Sequence, residues 1–168
     1  IDYYITSDRY LDHHLAAHPP EALGGNGRHR YAGVSAPGHL PGWRAGFGDA
    51  LHRLWSAYRT PVALTEVHIH CTREEQLRWL RDAWNGAHEA AARGADVRAI
   101  TGWALLGAYD WDSLVTVDAG HYEVGAFDLR SSTPRRTAVG RAIQALATGQ
   151  QLNHPVLAQE GWWQRPTV

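Results

Sequence analysis

Apolar and polar positions along the chain repeat one pattern three times: a short β-branched or aromatic run, then a helical stripe. Residues 1–6, IDYYIT, predict a strand. Ser7 can cap a short helix over DRYLDHHLAA, with Tyr10, Leu11, His14 and Leu15 on one side. The Gly- and Pro-rich stretch from Pro19 to Gly42 reads as loop. Its GGNGR, residues 24–28, is read as a turn, because no strand precedes it and no helix opens from it, as a phosphate-cradling loop would require. A helix is expected over 45–58, where Phe47, Leu51, Leu54, Trp55 and Tyr58 keep helical spacing. Pro61 breaks it, and PVALTEVHI predicts the second strand. Thr72 and Glu75 form a capping box for the next helix, whose apolar stripe is Leu77, Leu80, Trp84 and Ala87, with Gly94 as its stop. VRAITGWALLG, 97–107, is the third strand, and a loop over 108–132 follows. Thr133 and Pro134 open the last helix, Gly149 closes it, and an irregular tail runs from Gln150.

Strands alternating with helices predict an α/β fold with a parallel sheet and right-handed crossovers. No Gly-rich fingerprint follows the first strand, which argues against dinucleotide binding. Polar and aromatic residues gather at the strand ends and in the loops beyond them: Thr6, Ser7, Glu66, His68, Trp103, Tyr109, Asp110 and Trp111. That edge is where a (β/α)8 barrel places its chemistry. Glu66, His68 and His70 lie two apart, so on a strand all three leave one face while Val67 and Ile69 take the other. A carboxylate at the end of an apolar strand is costly unless it is used.

Composition narrows the function classes. At 168 residues the chain can bury a core and should be one domain or part of one. A net charge of −1 gives no basic field for nucleic acid, and no apolar run reaches membrane-spanning length. Eight Trp and seven Tyr supply flat faces on which sugars stack, although core packing uses the same residues. The single cysteine, Cys71, excludes an internal disulfide. No secretory signal pattern opens the sequence, and a cytoplasmic setting is expected. Methionine is absent even at position 1, so a piece of something longer is expected.

The segments DYYITS, LTEVH and GWALLGAYDW…GAFDLR resemble the sixth, seventh and eighth strands of family 1 glycoside hydrolases. The likeness is nearest to the glycosidase-like domain fused to sugar-nucleotide reductases of the dTDP-4-dehydrorhamnose reductase type, where a tail like HPVLAQEGWWQRP joins barrel to reductase. The resemblance implies a partial (β/α)8 TIM barrel of three βα units, strands 6 to 8, over residues 1–149, and a tail or interdomain linker over 150–168. It also implies a retaining β-glycosidase in which Glu66 is the nucleophile and Tyr4 its hydrogen-bonding tyrosine. Asp2, His68, Trp103, Asp110 and Trp111 would contact the sugar, with no cofactor. Asp2 stands where the family has Asn, Val67 and His68 replace its Asn-Gly, and Asp110 is one methylene shorter than its Glu. Retaining hydrolysis needs a second carboxylate about 5 Å from the nucleophile, and the family draws it from a strand outside this sequence. The expected partners are therefore a carbohydrate, the remainder of the barrel or a self-associated copy, and a sugar-nucleotide reductase domain.

Other readings stand beside this one. His68 and His70, with His121 or Asp110, could form the metal site of a TIM-barrel hydrolase. The chain could instead be a non-catalytic carbohydrate-binding or interface module, or purely structural. His13 and His14 are expected at the surface, and Cys71 is expected to pack rather than react. Three parallel strands cannot close, so the isolated chain is not expected to be a stable monomer.

Overall fold

The computed structural model describes residues 1–37, 39–40 and 43–165. The first expected strand is cut short. Ser7 N–H donates to the Tyr4 carbonyl, and Tyr4 N–H donates to Ser7 Oγ, both at 2.9 Å. This turn leaves only Asp2 in a parallel bridge with Glu66, supported by Thr65 N–H on the Ile1 carbonyl at 3.0 Å.

The expected Ser7-capped helix and the long loop after it are replaced by an antiparallel sheet. β1 (Arg9–Asp12), β2 (Leu23–Gly25) and β3 (Arg30–Ser35) pair in the order β1-β3-β2. Leu11 and His14 lie on different elements, and only a 3-10 turn, Leu15–Ala17, survives of the helix. GGNGR begins inside a strand, contrary to expectation, with Gly24 and Gly25 in β2, and its remaining residues open the β2–β3 turn. Asn26 Oδ1 accepts from Arg28 N–H at 3.0 Å and His29 N–H at 2.8 Å, so the amides are used within the turn.

The middle of the chain follows its pattern closely. α1 (Phe47–Tyr58) leads to β4 (Val62–Val67), α2 (Arg73–Ala92) and β5 (Val97–Gly102). Thr72 Oγ1 accepts from Glu75 N–H at the start of α2, the first half of the expected capping box, while the Glu75 carboxylate accepts from Arg78, Arg165 and Trp162 N–H instead of returning to Thr72. β4 and β5 pair in parallel, joined by the α2 crossover. Among the described residues no strand pairs with the other edge of β5. Both strands end earlier than the apolar runs imply, because Trp103 N–H closes onto the Val67 carbonyl at 3.1 Å and the ladder stops there. A cis peptide joins Trp103 to Ala104.

The core sits between this sheet and the helices. Phe47, Leu51, Leu64, Leu77 and Trp79 are fully buried, and Tyr3 joins the Phe47–Trp79 aromatic cluster. α1 and α2 approach so closely at Gly48 and Gly86 that a Cβ on Gly86 would meet Phe47 Cβ at 2.7 Å. Only a residue without a side chain fits there.

Short pairs run through the loop expected over 108–132 and into the start of the expected last helix. β6 (Ala108–Tyr109) pairs with β7 (Tyr122–Glu123), and β8 (Phe127–Asp128) with β9 (Arg135–Arg136). The last helix, α3 (Ala138–Ala147), is capped by Thr137 rather than Thr133, because residues 135–136 are taken by β9. The tail docks on α2. Trp163 is 2% exposed, its Nε1–H donates to Asp82 Oδ2 at 3.1 Å, and Arg78 and Arg81 donate to the Val156 and Leu157 carbonyls. No helix of the described residues is long and apolar enough to cross a membrane.

Candidate functional site

Glu66 is the penultimate residue of β4 and is half-buried. The hydroxyl of Tyr4 donates to its Oε2. The turn at Ser7 fixes Tyr4 beside β4 through the Asp2–Glu66 bridge, so the two residues meet across 62 positions of sequence. Burial, then the hydrogen bond to Glu66 and its negative charge, pushes the Tyr4 phenol well above its ordinary pKa. Tyr4 is a donor at any physiological pH. Asp2 is exposed and accepts from Thr65 Oγ1.

Beyond Val67 the chain leaves the sheet, and His68 turns toward the loops. Its Nε2 lies 3.0 Å from Glu123 Oε1, while His70 Nδ1 lies 3.2 Å from Glu123 Oε2. Gln76 Nε2 also donates to Glu123 Oε1 at 3.2 Å. Burial would raise the pKa of Glu123, but the hydrogen bonds and charges of His68, and then of His70, outweigh it and hold the carboxyl below its ordinary range. An ionised carboxylate only accepts, so the protons sit on Nε2 of His68 and Nδ1 of His70.

His68, Trp103, Trp111 and Glu123 line one cavity with Ala104 and Leu106. The indoles of Trp103 and Trp111 have centroids 5.6 Å apart and planes inclined at 31°. Space for water within the cavity is about 10 Å³, the size of a single site. Its far side is shaped by Gly125, where a Cβ would fall 2.5 Å from the Ala104 carbonyl oxygen. A side chain there would force the two loops apart.

Asp110 departs from its expected place. It is 7% exposed, and its two carboxylate oxygens accept from Gly120 N–H at 3.1 Å and His121 N–H at 2.7 Å. It ties the 110–121 loop at both ends instead of lining the cavity. Trp111, next to it, is 43% exposed. The acid that lines the cavity is Glu123, which sequence reasoning missed. The available signal was two histidines in search of an acceptor. Of the metal set read from the sequence, His68 and His70 both contact Glu123, and His70 and His121 also come together, with ring centroids 5.6 Å apart. His13 and His14 lie at the surface against Asp12, with side chains 80% and 70% exposed. Cys71 is exposed, not packed, because β4 ends before it.

No protein-family model matches the chain. Solved structures share its fold. A beta-glycosidase from Pyrococcus horikoshii matches with TM-score 0.54 and 20% identity over 69% of this chain and 27% of that one. A beta-glucosidase mutant derived from a hyperthermophilic tetrameric structure gives TM-score 0.59 and 18% identity over 85% and 34%. The hyperthermophilic beta-glucosidase from Pyrococcus furiosus gives 0.54 and 18% over 80% and 32%. The chain spans about a third or less of each of these proteins, and at such identities the likeness is one of fold. This is a mixed α/β chain with a glycosidase-like fold.

Proposed function

We propose that the chain is a C-terminal portion of a glycosidase-type (β/α)8 barrel, with residues 1–3, β4 and β5 taking the places of barrel strands 6 to 8. In this reading Glu66 is the nucleophile of a retaining β-glycoside hydrolase. Its carboxylate attacks the anomeric carbon as the leaving-group oxygen is protonated, and water then hydrolyses the glycosyl ester. The acid that delivers and later removes the proton comes from outside this chain, from the rest of the barrel or a second copy.

The observation that carries the reading is the hydrogen bond from Tyr4 to Glu66 Oε2 at the C-terminal end of β4. A phenol on one oxygen orients the carboxylate, and no protein donor reaches Oε1 among the described hydrogen bonds. Trp103 and Trp111 offer indole faces to the apolar side of a pyranose. Glu123, held by His68, takes the hydroxyl-accepting role that the sequence assigned to Asp110. A cavity of about 10 Å³ is far below the roughly 300 Å³ or more of a ligand pocket. Glu66 and Tyr4 do not line this cavity; in this reading they and the cavity residues are separate parts of one wall of a site whose other walls lie beyond this chain. The same wall without a partner acid would still bind sugar, which is the non-catalytic reading.

Turnover of an aryl β-glycoside by the complete protein decides between them. Glu66→Gln should abolish turnover and leave sugar binding nearly intact. Undiminished turnover in that variant refutes the nucleophile assignment. Sugar binding with no turnover in the wild type establishes the recognition module instead.

A further inference from the structure

We propose that His70, Asp112 and His121 bind one divalent transition-metal ion of the zinc class at the rim of the cleft, fastening the 108–121 loop to the end of β4. One ligating atom from each residue lies within 4.8 Å of the other two. The three come from two segments: His70 follows β4, while Asp112 and His121 bracket the loop that Asp110 ties. Around a zinc ion with ligand bonds of about 2.0–2.1 Å, tetrahedral ligands sit about 3.3 Å apart. Exposed side chains can close that difference by small rotations, since all three are at the surface. Two imidazoles and one carboxylate favour zinc and its neighbours over magnesium or calcium, which take oxygen ligands. A carboxylate behind a ligating imidazole is the usual support for such a site, and Glu123 stands in that position 3.2 Å from His70 Nδ1.

A second cluster, Asp12, His13 and His14, is a weaker claimant. Its residues are neighbours on one bend, and Asp12 already binds His14 Nδ1 at 3.0 Å and His18 Nε2 at 2.9 Å. It must nevertheless be silenced in a test, so His13→Ala/His14→Ala serves as the background.

Zinc chloride titrated into the tag-free background variant, followed by calorimetry, should show one site, while magnesium should show none. Adding His121→Ala should remove it, and adding Glu123→Gln should weaken it about 10–100-fold. Chymotrypsin supplies the second readout. Leu114 is 68% exposed on the loop, and zinc should slow cleavage there in the background variant but not with His121→Ala. Zinc binding that survives His121→Ala, or a loop cut equally fast with and without zinc, overturns the proposal. Neither readout involves glycoside turnover, so failure here is distinguishable from failure of the proposed hydrolase.

Discussion

Gly86→Ala sets helix propensity directly against packing. An alanine in a helix interior is favoured over glycine by about 1 kcal/mol, so on an open face the change would stabilise. Here the new methyl group would sit 2.7 Å from Phe47 Cβ and 2.9 Å from Gly48 N. Carbon contacts are comfortable at about 3.5–4.0 Å, so α1 must retreat by about 1 Å. Both obstructing atoms belong to the backbone or to a Cβ, and neither can swing aside. The retreat loosens Phe47, Leu51 and Trp79 together, all of them fully buried. Overpacking of this kind costs about 1–3 kcal/mol, and the immobile neighbours place it at the upper end. The net loss should be about 1–2 kcal/mol. Thermal melts at one fixed protein concentration, read by circular dichroism, should then fall by about 2–4 °C per kcal/mol. A Tm equal to or above that of the wild type would show that α1 and α2 are not in contact through these glycines.

Two further outcomes follow from buried polar anchors. Arg130, and then Arg135, hold the Asp128 carboxyl well below its ordinary range; a folded pKa lower than the unfolded one stabilises above the unfolded value, about 3.9, and this is lost as pH falls through the folded value. Asp128→Asn should therefore lower the urea midpoint at pH 7 and flatten its acid decline, whereas parallel acid limbs would contradict the Arg cluster. Trp163→Ala should cost about 3–5 kcal/mol for the lost indole, and Trp163→Phe only about 1–2 kcal/mol for the hydrogen bond to Asp82. If urea melts show both variants near the wild type, the tail does not dock on α2.

How far the fold could be read depended on the length of each signal. α1 and α2 announce themselves because 12 and 20 residues keep one period, and Thr72 marks the start of α2 even though the Glu75 carboxylate is drawn to Arg78, Arg165 and the Trp162 N–H. The β1–β3–β2 sheet was hidden because RYLD and LGG are too short to show a period of two. Thr133-Pro134 carries every local sign of a helix start, yet the next two residues, Arg135 and Arg136, pair with β8 as β9, and Arg135 is ion-paired with Asp128. The candidate site divides in the same way. Glu66 and Tyr4 were legible through motif order, and the structure does pair them. Asp110 was misplaced and Glu123 went unread because a loop's path is set by which carboxylate meets its amides, and spacing does not encode that. Among the tryptophans, Trp79 and Trp163 fill the core, while Trp103 and Trp111 face the cleft.

The unpaired side of β5 has its own consequence. From Val97 to Gly102 one row of peptide groups looks outward beside β4's partner row. A strand arriving in the same direction cannot be delivered by a tight turn from β5 itself, since parallel neighbours need a long crossover or a separate chain. Arg98 stands on that border with its charge held by Asp96 at 2.8 Å, and charged side chains on a border discourage indiscriminate pairing. A parallel neighbour on this border would therefore come from a long crossover or a separate chain and would meet the Arg98–Asp96 pair, which makes the border a selective seam.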